Sequence, residues 1–283
     1  MSKLAYCEYT TGNLEDSGTE ALRIFLPAAR GYILHCFIHS VREDYGCDVW
    51  RLGPAYHVAD DFADAALLTT PRAEWEMAIR LKERPDFIGG VIHGDERMTR
   101  VVFRLDGRET VPAALRERTA FSALEVEVDS TGFDPISPKT EVLLHHKTLT
   151  FTAEGVTVRQ RVEWLGDYAL GNSYMAMMPP RKEWTNRYKI DTVPGLNPIE
   201  ESGACGVASI EELYLCGDTY GFSMRVPRYL SCAEGNRYLI TDNGGRSYNK
   251  MYFVLAHGGA AHAGDVWETE TQYRITVLEK EGL

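Results

Sequence analysis

The chain has 283 residues, of which 44% are hydrophobic and 25% are charged, and this ordinary globular composition excludes disorder, collagen-like repeats and coiled coil. Its 30 Lys and Arg residues and 41 Asp and Glu residues give a net charge of −11, which disfavours general nucleic-acid binding. The six cysteines include no CxxC pair, which predicts reduced thiols. No signal peptide and no apolar stretch of about 18 residues is present, so we expect a soluble, cytoplasmic protein without a membrane partner.

The first elements in chain order are a strand, a short helix and a second strand. The segment GYILHCFIHSV, residues 31–41, favours a strand with His35 and His39 on one face, and we expect these imidazoles to be partly buried rather than metal ligands. The segment FADAALL, residues 62–68, predicts a short helix that Asp60 and Asp61 could cap. WEMAIRLK, residues 75–82, alternates as a strand does. No metal site is predicted in the chain.

A bend rich in glycine and charge follows at residues 84–109, RPDFIGGVIHGDERMTRVVFRLDGRE. His93, Glu96 and Arg97 crowd together after a pair of glycines, which predicts a polar ligand site. His93 could act there as an acid or a base, and the guanidinium of Arg97 suits vicinal hydroxyls or a carboxylate. The alternative is a solvated turn whose charges pair with one another.

The next segments predict a short helix and then a β-hairpin. VPAALRERTAF, residues 111–121, begins with a proline near a helix entry and predicts about two helical turns. EVLLHHKTLTF, residues 141–151, and VTVRQRVEWL, residues 156–165, are period-two segments joined by a short turn at residues 153–155, which predicts an antiparallel hairpin. In the second strand one face carries the apolar residues Val156, Val158, Val162 and Trp164.

Polar residues on this hairpin form a second candidate site. His145 and Lys147 share one face of the first strand, whereas Arg161 and Glu163 share a face of the second strand. If those two faces were opposed, His145 and Glu163 could supply acid–base catalysis and Arg161 could bind substrate. The alternative is an exposed sheet face with ordinary cross-strand charge pairs.

Residues 178–206 are rich in Pro, Gly and Asn, which favours a large ordered loop within one domain. Tyr174, Trp184 and Tyr188 lie in or near this segment and could stack on the apolar faces of pyranose rings. The alternative for each of these aromatic residues is ordinary core packing.

The C-terminal part predicts one short helix, GVASIEELYLCG at residues 206–217, and three further strands at 220–230, 250–259 and 265–279. In the last strand an alternating face holds Trp267, Thr269, Thr271, Tyr273, Ile275 and Val277. His257 and His262 fall in a probable turn and are expected to be inert. The predicted fold class is therefore all-β, a large antiparallel β-sandwich with few short helices that forms a single domain over residues 1–283.

Two of these segments resemble the aldose 1-epimerases, or galactose mutarotases. That family carries an early stretch with glycines, an Asn-Arg-Ile triplet and a Leu-Asp-Gly end, and a closing strand of the type PGE-x-Y…T-x-YRF. The corresponding residues here are Phe87, Gly89, Gly90, Glu96–Arg97–Met98 and Phe103–Gly107, with AGDVWETETQYRI at the end. The resemblance implies a supersandwich fold, a sugar-facing concave sheet and no required cofactor, and Arg97 matches a sugar-contacting position.

The function expected from these observations is that of a carbohydrate-active protein with mutarotase- or epimerase-like acid–base chemistry on a sugar or oligosaccharide. Its candidate catalytic residues are His93, His145 and Glu163, and its candidate binding residues are Glu96, Arg97, Arg161, Tyr174, Trp184 and Tyr188. The same fold also occurs in polysaccharide lyases, which cleave uronides by β-elimination, and in non-catalytic carbohydrate-binding modules. Both alternatives remain open from the sequence, as does the oligomeric state.

Overall fold

The computed structural model describes residues 3–14, 18–42, 46–71, 75–89, 96–137, 140–200, 203–207, 211–230, 237–241 and 245–278. Regular structure in these ranges is almost entirely strand, and the helices found there are two short 3-10 segments, Pro112–Ala114 and Lys182–Trp184. The all-β prediction is therefore confirmed. Across the same ranges, no helix has the length and apolar character that a bilayer crossing requires.

Strands run through the whole described chain. In chain order they are β1 (Ala5–Leu14), β2 (Gly18–Pro27), β3 (Tyr32–Arg42), β4 (Cys47–Val58), β5 (Ala65–Leu67), β6 (Ala78–Leu81), β7 (Glu96–Leu105), β8 (Arg108–Thr110), β9 (Thr119–Phe121), β10 (Leu124–Phe133), β11 (Glu141–Thr152), β12 (Gly155–Trp164), β13 (Tyr168–Met178), β14 (Arg187–Ile190), β15 (Val193–Pro198), β16 (Ala204–Val207), β17 (Glu212–Cys216), β18 (Tyr220–Leu230), β19 (Arg237–Thr241), β20 (Lys250–His257), β21 (Ala260–Ala261) and β22 (Val266–Val277).

These strands form a 16-stranded sheet and a six-stranded sheet. The large sheet has two parts, which meet where β4 and β7 run parallel at the pair Asp48 and Arg97. We call the part made of β1–β5 and β9 the N-terminal wing, and the part ordered β15-β14-β17-β18-β22-β12-β11-β10-β7, with β8 beside β7, the central wing. The six-stranded sheet has the order β16-β19-β20-β13-β21, with β6 paired to β13.

The central wing has one face buried against both other layers. The main hydrophobic cluster joins the central wing to the N-terminal wing and also includes Met178 and Phe253 of the six-stranded sheet. Within it the ring of Phe37 contacts those of Trp50 and Phe151. A second cluster joins the central wing to the six-stranded sheet and includes Ile79, Leu143, Trp164, Leu170, Leu255 and Trp267. The architecture is therefore a sandwich in which one large sheet face has two partners.

The alternation of the predicted hairpin is confirmed. β11 pairs antiparallel with β12 up to Thr152 and Gly155, so the turn lies at the predicted position. The inward face of β12 is buried at Val156, Val158, Val162 and Trp164, and that of β22 is buried at Trp267, Thr269, Thr271, Tyr273, Ile275 and Val277. A period of two places such residues on one face, and burial of that face fixes the register.

Two of the three helix predictions are wrong, and the helix predicted at 111–121 is limited to one short 3-10 segment. Residues 62–68 contain β5, which pairs with β4, and residues 111–121 contain a 3-10 segment followed by β9, which pairs with β1. Residues 206–217 contain β17, whose Leu213 and Leu215 alternate into the core. Short apolar runs fit a helix or a strand equally well, and an available sheet edge decides between them. Residues 178–206 likewise contain β14 and β15 at the edge of the central wing rather than a loop.

Buried polar groups lie where the layers meet. Lys147 on β11 donates to the carboxylate of Glu76, whose other oxygen accepts the Leu52 amide at 3.0 Å. Two residues before Lys147 on the same strand, His145 Nδ1 lies 2.9 Å from Glu96 Oε1. This oxygen also accepts a hydrogen bond from the Ser130 hydroxyl at 2.6 Å. Buried charges are tolerated when they are paired and hydrogen-bonded in this way.

Burial alone would raise the pKa of Glu96, because it disfavours the charged form. The hydrogen bond and charge of His145, the charge of Lys147 and the Ser130 hydroxyl outweigh burial and lower the pKa of Glu96 from 4.5 to about 2. The folded protein therefore holds Glu96 as a carboxylate over a wider pH range than the unfolded chain does.

Gly155, at the start of β12, has φ of 138°, and an added Cβ would lie 2.4 Å from the carbonyl oxygen of Tyr273. We predict that Gly155→Ala lowers the free energy of unfolding by about 3 kcal/mol or more, because backbone strain and a steric clash add together. Gly107→Ala is the matched control, since Gly107 also has a positive φ of 77° but open space around it, and should cost about 1 kcal/mol. Denaturant unfolding measures both, and equal losses would contradict the close approach to Tyr273.

For Glu96 we predict a stability loss in acid that a neutral variant does not share. Its stabilising contribution, roughly 3 kcal/mol, is complete above about pH 4.5 and is lost as the pH falls toward 2. Glu96→Gln should lower stability at pH 7 by about 3 kcal/mol and flatten the profile over that pH window. Glu163→Gln, whose carboxylate pairs with Arg161 at a partly exposed position, should cost less than about 1 kcal/mol. Parallel acid profiles for wild type and Glu96→Gln would refute the assignment.

Candidate functional site

The structure brings together two of the predicted site residues, His145 and Glu96, but it places them in the interior. Their side chains are 0% and 4% exposed, respectively, and His145 Nε2 has no hydrogen-bond partner among the described residues. His93, which was predicted to share a ligand site with Glu96 and Arg97, lies outside the described residues. In the described part of the chain, the Glu96–His145 pair is too buried for a sugar to contact it from the surface. This geometry favours a structural role for the pair.

Arg161 and Glu163 lie on the opposite face of the central wing from His145. His145 is paired across the strands with Val162, whereas Glu163 is opposite Leu144 and Arg161 is opposite His146. The predicted juxtaposition of His145 with Arg161 and Glu163 is therefore not formed, because adjacent residues of a strand face opposite sides.

The outer face that carries Arg161 is a ladder of cross-strand charges. One row across five strands consists of Arg100, Asp129, His146, Arg161 and Glu268. Within it Arg100 lies 3.1 Å from Asp129, and Arg161 also bonds Glu163 at 3.0 Å. Pairs of this kind each contribute roughly 0.2–1 kcal/mol to sheet stability. This face therefore matches the ordinary charge-paired surface that was the alternative interpretation.

Arg97, Trp184 and Tyr188 each have structural contacts. Arg97 is exposed, donates from Nε to the carbonyl of Gly46 at 3.2 Å, and lies 4.9 Å from the ring centre of Phe133. Trp184 donates its indole N–H to the carbonyl of Leu67 at 2.8 Å, and both Trp184 and Tyr188 pack against the main hydrophobic cluster. The two aromatic residues thus lie against the core at the sheet edge.

Tyr174 has a different environment, on the outer face of the six-stranded sheet. β13 turns Ser173 and Met175 inward, where both are buried, and presents Tyr174 on the other side. The neighbouring strands β6 and β20 contribute further side chains to the same face. We define the Tyr174 surface as the group Arg80, Phe87, Asn172, Tyr174, Tyr252 and His257.

Three aromatic rings form a row on this surface. The ring centres of Phe87 and Tyr174 are 6.1 Å apart at an interplanar angle of 31°, and those of Tyr174 and Tyr252 are 4.6 Å apart at 41°. All three side chains are only partly buried. Partly exposed rings in contact give an extended apolar face with polar edges, the type of surface on which a pyranose ring can stack.

A histidine lies beside this row. Asn172 on β13 is opposite His257 on β20, and His257 Nδ1 is hydrogen-bonded to the amide oxygen of Asn172. An amide oxygen can only accept, so Nδ1 carries a hydrogen, and in the neutral form of the exposed His257 ring the lone pair therefore lies on Nε2. The local sequence pattern predicts an inert turn at His257, because it contains no signal that β13 and β20 are neighbours.

The hydroxyl of Tyr174 stays protonated at neutral pH. Partial burial raises its pKa above the usual value of 10, and this outweighs the opposing effects of an Asn172 hydrogen bond and of the charges on Lys250 and Arg80. Asn172 thus contacts both groups on this surface that can exchange protons, Tyr174 and His257.

Two cavities of about 240 and 430 Å³ lie on either side of the turn at residues 153–155, and they share Glu154, Gly155 and Arg274 in their walls. Neither contains a predicted site residue or a member of the Tyr174 surface. In the described ranges, no cluster of three or more His, Cys, Asp or Glu side chains is arranged to hold a metal ion.

No protein-family model matches the sequence, and no curated protein sequence matches it either. Solved structures do match. The galactose 1-epimerase from Lactobacillus acidophilus NCFM matches with a TM-score of 0.50 and 8% identity over 98% of this chain and 100% of that one. The galactosidase domain of the α-galactosidase–sucrose kinase AgaSK matches with a TM-score of 0.51 and 7% identity over 94% of this chain.

This chain spans 41% of the length of the matched galactosidase chain, whereas it covers the whole of the epimerase. At such low identities the likeness concerns the fold and leaves the chemistry to the site. The resemblance inferred from the sequence is confirmed at that level: the chain has a galactose-mutarotase-like β-sandwich fold.

Proposed function

We propose that this protein binds a sugar on the Tyr174 surface and interconverts its anomers by acid–base chemistry of the mutarotase type. The observation that carries the proposal is the row of three aromatic rings with the Asn172–His257 pair beside it, on one face of one sheet. Rings provide a stacking face, and the polar pair provides orientation and a base.

Mutarotation needs a base for the proton of the anomeric hydroxyl and an acid for the ring oxygen. In the proposed reaction His257 Nε2 takes the anomeric proton, the bond between the anomeric carbon and the ring oxygen breaks, and the Tyr174 hydroxyl protonates that oxygen. The open-chain aldehyde then rotates about the bond between C1 and C2. The reverse proton transfers close the ring as the other anomer and return Tyr174 and His257 to their starting protonation states.

Two features support this assignment over the earlier candidates. The Tyr174 surface is partly exposed, whereas the Glu96–His145 pair is sealed in the interior. In the Arg161 row, Arg161 is paired with Glu163 and Arg100 is paired with Asp129. The fold likeness to a galactose 1-epimerase and to a galactosidase domain is consistent with a sugar ligand, and it leaves the reaction to be tested.

We predict that His257→Gln lowers the mutarotation rate about 100-fold or more and leaves sugar affinity nearly unchanged, because a general base contributes about 10²–10⁴-fold. His262→Gln is the matched control, since His262 is exposed in the following turn, 3.3 Å from Asp167 and outside the site. Polarimetry on several aldoses measures the rate, and titration calorimetry measures the affinity.

Tyr174 variants separate stacking from proton transfer. Tyr174→Phe should keep sugar binding and lose turnover, whereas Tyr174→Ala should also weaken binding, by about 1 kcal/mol. If the wild type binds sugars through Tyr174 without accelerating mutarotation, the protein is a binding module. New ultraviolet absorbance on uronide polymers would instead indicate a lyase. Unchanged binding and turnover in Tyr174→Ala would exclude this surface as the site.

A further inference from the structure

The aromatic row of the Tyr174 surface ends in a cation on each side. The guanidinium carbon of Arg80 lies 5.7 Å from the ring centre of Phe87, and Lys250 Nζ lies 5.0 Å from that of Tyr252. Both cations also influence Tyr174, since each opposes the burial effect on its pKa. In a chain with a net charge of −11, the aromatic row is therefore flanked by two cationic side chains, of which Arg80 is the exposed one.

The charge of Arg80 is not neutralised by the protein as described. Its Nε donates to the backbone carbonyl of Arg84 at 3.2 Å, and no carboxylate of the described residues lies within 4.0 Å of its guanidinium nitrogens. By contrast, Arg84 itself pairs with Asp134 at 2.7 Å, and Arg104 pairs with Glu125 at 3.1 Å. Arg80 is exposed, so its two terminal nitrogens are available to a ligand.

Strand pairing places Arg80 on the outer face of the six-stranded sheet, the face that carries Tyr174. β6 pairs with β13 so that Leu81 is opposite Leu170 and Ile79 is opposite Ser173, which places Arg80 beside residues 171 and 172. A Cβ at Gly171 would lie 3.4 Å from Arg80 Cγ, so the aliphatic stem of Arg80 lies over this glycine. The guanidinium itself lies between the carbonyl of Arg84 and the ring of Phe87, at one end of the aromatic row.

We infer that the substrate of this site is an acidic sugar, whose carboxylate or phosphate group is bound by Arg80 while its ring lies on the aromatic row. This inference rests on the proposed function and adds the class of sugar. A guanidinium offers parallel N–H donors that match the paired oxygens of a carboxylate or phosphate. A neutral sugar would leave that charge uncompensated, whereas an anionic group gains a charge-assisted hydrogen bond.

The test compares sugars that differ only at C6: glucose, glucuronate and glucose 6-phosphate, and the same three compounds in the galactose series. Binding is measured by calorimetry and by saturation-transfer NMR for the wild type, Arg80→Ala and Arg80→Lys. Arg159→Ala is the matched control, because it removes one positive charge from an exposed arginine on the central wing, paired there with Glu270. Thermal unfolding shows whether each variant is folded.

The expected result is that the wild type binds at least one of the acidic sugars about tenfold or more tightly than the neutral one. Arg80→Ala should weaken the binding of that acidic sugar about 10- to 100-fold and abolish its preference over the neutral sugar, while Arg159→Ala preserves the preference. Preference for the 6-phosphate or for the uronate identifies the anionic group. Arg80→Lys should retain only part of the preference, because an ammonium lacks the paired donors.

Equal affinity of the wild type for neutral and acidic sugars would overturn the inference and leave the proposed function standing. The same holds if Arg80→Ala weakens all sugars alike, or if Arg159→Ala has the same effect as Arg80→Ala. Failure of every sugar to bind, with Tyr174→Ala indistinguishable from the wild type, would overturn the proposed function and the inference together.

Discussion

The inner face of the central wing must be buried along its full length, and the rest of the structure depends on that burial. Its strands carry apolar residues with a period of two, and burying that apolar area is the main source of stability. No single sheet covers the face: the N-terminal wing covers one part, and the six-stranded sheet covers the other. The outer face of the central wing is thereby left for polar residues such as His146 and Arg161.

The junction of the layers explains why charged residues occur inside the sandwich. Glu76 pairs there with Lys147, and Glu96 is hydrogen-bonded to His145 and Ser130, so each buried carboxylate has polar partners. An unpaired charge at such a position would destabilise the fold. Substituting one residue of a pair would therefore leave the other buried without its partner. Adjacent residues of one strand face opposite sides of the sheet. In β7 the side chain of Glu96 is therefore buried inside the protein, whereas that of Arg97 is exposed at its surface.

The Tyr174 surface depends on the same construction. Because the inward side of β13 is committed to covering the central wing, its outward side is free to carry Asn172 and Tyr174. β6 and β20 are paired on either side of β13, and they bring Arg80, Tyr252 and His257 to these two residues from positions far apart in the chain. The proposed site is thus a product of strand order, and a cationic side chain lies at each end of its aromatic row.

The all-β class, the hairpin at residues 153–155 and the inward rows of β12 and β22 can be predicted from the sequence, because a period of two is a local property of the chain. The sequence also indicates Tyr174 as a candidate sugar-binding residue. Short runs such as 62–68 and 206–217 were mistaken for helices, because only an adjacent sheet edge makes them strands. Only the tertiary structure decided that His145 meets Glu96 rather than Glu163, and that His257 meets Asn172. Alternation shows which residues of one strand share a face, but the neighbour of that face is set by long-range pairing, which leaves no local signal in the sequence.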